Sequence, residues 1–418
     1  MMTALILTVF GLGYGAIILE YYLKVNKTAV ALLIAVLCWA IYFLGGYFPL
    51  QQDLGKLSSH LADVSQVIFF LLGAMVIVEL IDSHKGFKLI TDAIATRSKR
   101  KMLWIIGALA FFLSAVLDNL TTTILMISLL RKMVPERSER LLLSCLVVVA
   151  ANAGGAWTPI GDVTTTMLWI DGRISSLAVM KALFTPSLIS LLVPLFLISL
   201  RQRGKFSVFS QKIEQSPQEP GAALVFFLGV GALVFVPVFK ALTGLPPYMG
   251  VLIGLGVLWL VTDLMHHRDE TRQHLRVPAI LMKIDISGIL FFLGILLCIN
   301  ALETAGILRE LAQWLEREVQ SQVLIATLIG FFSAIIDNVP LVAATIGMYP
   351  AEQFPADSPL WHMIAYAAGT GGSMLVIGSS SGVALMGLEK VDFITYLKAV
   401  SLPVLIGYLA GMGAYLLV

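Results

Sequence analysis

The sequence predicts an all-α integral membrane protein of two inverted-topology repeats, with about ten transmembrane helices, two re-entrant hairpins and two discontinuous helices. Three observations predict it. The 418 residues are 58% hydrophobic and only 13% charged, where soluble domains carry roughly 25% charge. Apolar stretches of about 20 residues, each enough to cross a bilayer, recur along the whole chain. The second half also repeats polar motifs of the first, in the same order.

Full spans are expected near 3–23, 28–48, 64–82, 139–170 and 175–200, then near 221–240, 245–265, 285–303, 359–388 and 392–417. No basic residue precedes the first run and no small-residue cleavage pattern follows it; Lys24 and Lys27 come after it instead. It therefore reads as a retained span with its N-terminus outside, not as a signal peptide. The stretches 102–133 and 321–349 carry a polar break in the middle and read as hairpins that return to the side they entered. Ten crossings put the C-terminus outside as well.

Basic residues test this order. The expected cytoplasmic loops collect Lys24, Lys27, the runs Lys85 to Lys101 and Arg131 to Arg140, and the runs Arg201 to Lys212 and Arg268 to Lys283. The other face receives only Lys56, Arg173, Lys181, Lys240, Arg309 and Arg317. Lys and Arg in short cytoplasmic loops set orientation, so the asymmetry agrees with the order. Residues 84–100 and 305–318 mix apolar and charged residues at roughly helical spacing and read as surface-lying pieces before each hairpin.

The halves divide as follows. Residues 1–200 form the first repeat, with scaffold spans in 1–82, a hairpin at 102–133, a broken helix at 139–170 and a span at 175–200. Residues 201–220 form a polar cytoplasmic linker. Residues 221–418 form the second repeat, with scaffold spans in 221–303, a hairpin at 321–349, a broken helix at 359–388 and a span at 392–417. FFLSAVLDN (Phe111–Asn119) matches GFFSAIIDN (Gly330–Asn338) at an offset of 219 residues. AANAGGAWTPIGD (Ala150–Asp162) matches AAGTGGSMLVIGS (Ala367–Ser379) at an offset of 217. Five crossings per half is an odd number, so the second half enters the bilayer upside down, an arrangement that puts broken helices and the substrate site near the midplane.

The candidate residues sit in these motifs. Asp118-Asn119 and Asp337-Asn338 lie in the centre of apolar stretches, where an ionisable residue is costly and marks function by default. A helix cap at the hairpin tip would also use Asp, but Ser, Asn or Gly would serve without the charge. Gly154-Gly155 and Pro159-Ile160-Gly161 interrupt one span; Gly371-Gly372 and Gly378 interrupt its counterpart. Such breaks free backbone carbonyls, which suit a hard cation; close helix packing through small residues is the other reading. Ser114, Thr122, Thr158, Ser333, Ser373 and Ser379 are the hydroxyls expected to line the path, though many hydroxyls bond their own helix. Asp162 alone lacks an acidic mate, since Ser379 stands in its place; an N-cap and a third ion or proton site are both open to it. Glu79 reads as an interfacial carboxylate, with a place on a proton path the other reading.

Cys38, Cys145 and Cys298 sit inside apolar runs and read as buried small hydrophobes. No cofactor fingerprint is present, and a net charge of +2 gives no reason to expect nucleic acid. A carboxylate in a partly dry cavity ionises less readily than in water. If a sodium ion binds only the ionised form, sodium and proton compete for one group, and alternating access then gives antiport. The expected metal ligands are Asp118, Asn119, Asp337 and Asn338, holding Na⁺.

At Asp118-Asn119, Gly154-Gly155, Asp337-Asn338 and Gly371-Gly372-Ser373 the chain resembles the NhaD type of sodium/proton antiporter, within the ion transporter superfamily. The resemblance covers nearly the whole chain. It implies a membrane homodimer, no resident cofactor, Na⁺ and H⁺ as substrates with lithium as a second cation, and a transport domain that moves like an elevator against a scaffold. Anion-carrying relatives use a Ser-Asn-Thr signature at the hairpin tips; here Asp precedes Asn at both, followed by Leu120-Thr121 and Val339-Pro340. Paired acids repel a dicarboxylate and attract a cation. The rival readings are a sodium-coupled dicarboxylate or arsenite carrier of the same superfamily, an intramembrane aspartyl protease, and a membrane protein whose breaks serve packing alone. The reading is of a carrier in a bacterial inner membrane, not of an enzyme.

Overall fold

The computed structural model describes residues 2–18, 20–46, 49–87, 96–202, 204–206, 219, 221–267 and 269–417. The first half holds α1 (Met2–Ile18), α2 (Lys27–Leu44), α3 (Leu50–Ser83), α4 (Lys99–Leu117), α5 (Asn119–Met133), α6 (Arg137–Gly155), α7 (Val163–Ile170) and α8 (Ser176–Arg201). The second half holds α9 (Ala222–Thr243), α10 (Pro247–His266), α11 (Ile286–Thr304), α12 (Ile307–Val319), α13 (Gln322–Ser333), α14 (Asn338–Met348), α15 (Pro359–Gly371), α16 (Ser380–Glu389) and α17 (Phe393–Leu417). Among the described residues nine helices are long and apolar enough to cross a bilayer: α2, α3, α4, α6, α8, α9, α10, α11 and α17. The chain is an all-α, multi-pass membrane protein. Residues 88–95 of the surface piece expected at 84–100, and most of the linker expected at 201–220, lie outside the described residues.

Two elements differ from expectation for physical reasons. The span expected at 64–82 is the end of α3, a helix of 34 residues. At 1.5 Å per residue it measures about 51 Å, well beyond a hydrocarbon core of about 30 Å. Its first turns, LQQDLGKLSSHLAD, are too polar to register as a span. Within them Asp53, buried, accepts from the Tyr42 hydroxyl at 2.9 Å and lies 3.5 Å from Lys56 Nζ. The first hairpin also has a leading arm, α4, of 19 residues, whereas α13 has 12.

Packing sorts the helices into two sets. In one, α1 packs on α2, α2 on α11, α11 on α3, and α3, α9 and α10 on one another. In the other, α4 and α5 pack on α6, α16 on α5 and α6, α13 and α14 on α15, and α8 on α6, α15 and α17. The sets meet chiefly where α14 touches α11, α7 touches α3 and α4 touches α9. Surface helix α12 has Leu311 and Trp314 exposed on one side, as an interfacial helix requires.

Candidate functional site

Each hairpin and each broken helix turns at a polar residue that caps the next helix. Asp118 ends α4 and caps α5, its Oδ1 accepting the Thr121 amide and its Oδ2 the Thr121 hydroxyl, both at 2.8 Å. Asp337 caps α14 through the Val339 amide at 3.3 Å. Asp162 caps α7 through the Thr164 amide at 3.0 Å, and Ser379 caps α16 through the Gly382 amide at 3.3 Å. These caps satisfy donors that a helix start leaves open. That matters at membrane depth, where no water substitutes.

The glycine pairs allow close backbone crossings. A methyl on Gly154 would strike the Phe111 carbonyl, and one on Gly371 the Gly330 carbonyl. Gly155 lies against the Gly161 carbonyl, and Gly372 against that of Gly378. Ser114 donates to Ala151 O at 2.6 Å, and Ser333 to Ala368 O at 2.8 Å. Thr158 donates to Ala115 O at 2.7 Å. These groups bind each hairpin to its broken helix. Thr122 is fully buried, its hydroxyl without a hydrogen-bond partner among the described residues.

At the centre stands Asp162, 1% exposed. Its Oδ2 accepts the Asn119 side-chain amide at 2.8 Å and that of Asn338 at 3.2 Å. Both hairpin tips therefore converge on one carboxylate. Asn152, fully buried on α6, extends the network. Its Oδ1 accepts from Asn119 at 3.1 Å, and its Nδ2 donates to Ser373 Oγ at 3.0 Å and Ser379 Oγ at 2.8 Å. The sequence reading had not singled out Asn152. The signal was an amide within an apolar run, facing Gly369 across the repeat.

A small cavity of about 30 Å³ adjoins this network, lined by Asp118, Asp162 and Thr166 on one side and by Phe70, Met75 and Leu233 of the other set. It has room for one or two water-sized species. No lysine or arginine lines it among the described residues. Asp337 does not line it. Glu79 lies elsewhere, accepting from Ser83 at 3.1 Å and 3.7 Å from Lys283 Nζ.

A family model described as "Citrate transporter" (CitMHS) matches residues 14–365. Sodium/proton antiporter 1 of Arabidopsis thaliana is 56% identical over 98% of this chain and 71% of its own length. Sodium/proton antiporter 2 of the same plant is 52% identical over 98% of both chains. The Na(+)/H(+) antiporter NhaD of Vibrio cholerae is 30% identical over 98% of this chain and 91% of its own length. The chain belongs to the NhaD-type ion transporters, within the citrate transporter family. As an NhaD-type transporter it is a carrier of the membrane. The sequence resemblance and the relatives agree on this family.

Proposed function

We propose that this NhaD-type transporter exchanges Na⁺ for H⁺, and that Asp162 and Asp118 are the acids that hold one or the other. One observation carries the reading: the Asp162 carboxylate receives an asparagine amide from each hairpin tip, beside a cavity that Asp118 also lines. A buried carboxylate without a cationic partner is costly as an anion. It is eased by taking a proton or a metal ion. Asn119 and Asn338 turn their N–H groups to the carboxylate. An amide carries an oxygen opposite its nitrogen, so a flip of either side chain offers Na⁺ an oxygen ligand. The caps and glycine crossings hold the tips still while the occupant changes.

The family model's description favours a second reading, sodium-coupled transport of citrate or a similar anion. Three features oppose it: the carboxylates of Asp118 and Asp162, the lack of a basic lining residue among the described residues, and a cavity too small for citrate. The two packed sets support an elevator motion of α4–α8 and α13–α17 against α1–α3 and α9–α11. The paired motifs support inverted repeats, and the distribution of Lys and Arg supports both termini outside. The homodimer, Li⁺ as a second cation and a bacterial inner membrane rest on the sequence reading.

The test is purified protein in proteoliposomes with an internal pH dye. Pulses of Na⁺ should drive proton movement, Li⁺ should do so as a second substrate, and K⁺ should be silent. Labelled citrate should not enter with a sodium gradient. Citrate uptake without sodium-driven proton flux would replace this reading with the anion carrier.

A further inference from the structure

Lys240 lies in the last turn of α9, in the α1–α3, α9–α11 set. Its Nζ donates to the main-chain carbonyl of Trp169 at 2.7 Å and sits 4.5 Å from the centroid of the Trp169 ring. Trp169 is buried near the end of α7, in the other set. The bond therefore runs from one set to the other. The hydrogen bonds of Asn119, Asn152, Asp162 and Arg131 stay inside the second set.

The placement suits a cation. The end of a helix carries partial negative charge, and an indole face attracts an ammonium group; the Trp169 carbonyl also accepts the Gly172 amide at 3.3 Å. No ion pair of Lys240 is present among the described residues. α7 has only eight residues, so about 12 Å of helix separates the Asp162 cap from the end that Lys240 holds. Any slide of the second set along the first carries Trp169 away from Lys240.

We propose that Lys240 is a positioning residue that latches α7 to the static set in this conformation, and so sets how the carrier divides between its two access states. The proposal rests on the two-body reading of the fold given above. Losing the latch depopulates this state, so the ion binds less well from the side this state serves and better from the other.

The experiment compares wild type, Lys240→Met and Lys240→Arg in oriented proteoliposomes, with half-saturating Na⁺ measured from each face. The Met variant should shift the two values in opposite directions by about 3- to 10-fold, with Arg close to wild type. Equal or parallel shifts overturn the latch, because simple damage to the fold moves both faces alike. Amide hydrogen exchange over 163–172 is measured on the same proteins without added ion. Faster exchange in Met but not in Arg supports the latch, and unchanged exchange overturns it. Absent sodium-driven flux in wild type would sink the exchange function instead, leaving hydrogen exchange to judge Lys240.

Discussion

The two hairpin tips share the letters Asp-Asn, a helix cap and an amide aimed at Asp162, and differ in backbone and surroundings. At the first, Asp118 holds φ 74° and ψ 161°, a region essentially reserved for glycine and worth about 1–3 kcal/mol of strain. Its counterpart Asp337 holds φ −48° and ψ 134°, ordinary for a cap. Asp118 borders the cavity and Asp337 does not. Downstream, Asn152 and Asp162 of the first half face Gly369 and Ser379 of the second. Packing, by contrast, is matched: Ser114 and Ser333 make the same bond, and Gly154 and Gly371 admit the same crossing. The two motifs share a frame, while Asp118 and Asp162, the two acids beside the cavity, both lie in the first half.

The sharpest way to break this comparison is at its centre. Asp162→Asn should cut sodium-driven proton flux by about 100-fold or more, the scale of leaving buried partners without their charge, and Ser379→Ala by about 2- to 3-fold. Equal losses would mean two equivalent sites. Next, Asp118→Asn and Asp337→Asn both keep a competent cap, so they isolate the charge. The first should lower flux about 30-fold and the second only a few-fold; the reverse order in the same assay would move the ion to the second tip. For the amides, Asn119→Ala should raise half-saturating Na⁺ about 10-fold and Asn338→Ala about 3-fold, because Asn119 bonds both Asp162 and Asn152. The smallest contrast lies in packing: Gly154→Ala and Gly371→Ala should destabilise alike, by about 1–3 kcal/mol each. Thermal unfolding in detergent reads this, and a large difference would show that the frames are not matched.

The sequence exposes the helix breaks and hairpin tips because each requires residues that an apolar span otherwise avoids. Gly154-Gly155, Asp118 and their counterparts are visible for that reason. Convergence on Asp162 is not visible, because 176 positions of chain separate it from Asn338 and no spacing rule links them. Asn152 is hard to see for a second reason: an amide inside AANAGG carries no charge, and its counterpart in the second half is Gly369. The length of α3 was hidden because hydropathy sees only the part that dissolves in lipid.

The two ends of the second set are tied across the halves. Glu389, its side chain fully buried, accepts from Arg131 at 2.8 Å and Arg140 at 3.0 Å, while Arg137 donates to the Glu389 carbonyl at 2.9 Å. At the other end Arg173 donates to Tyr349 O at 3.1 Å and its own carbonyl accepts the Asp357 amide. Each half thus closes the loose ends of the other, as two hands clasp. Polypeptides 1–206 and 219–418 made separately in one cell should therefore find each other and purify as a single particle.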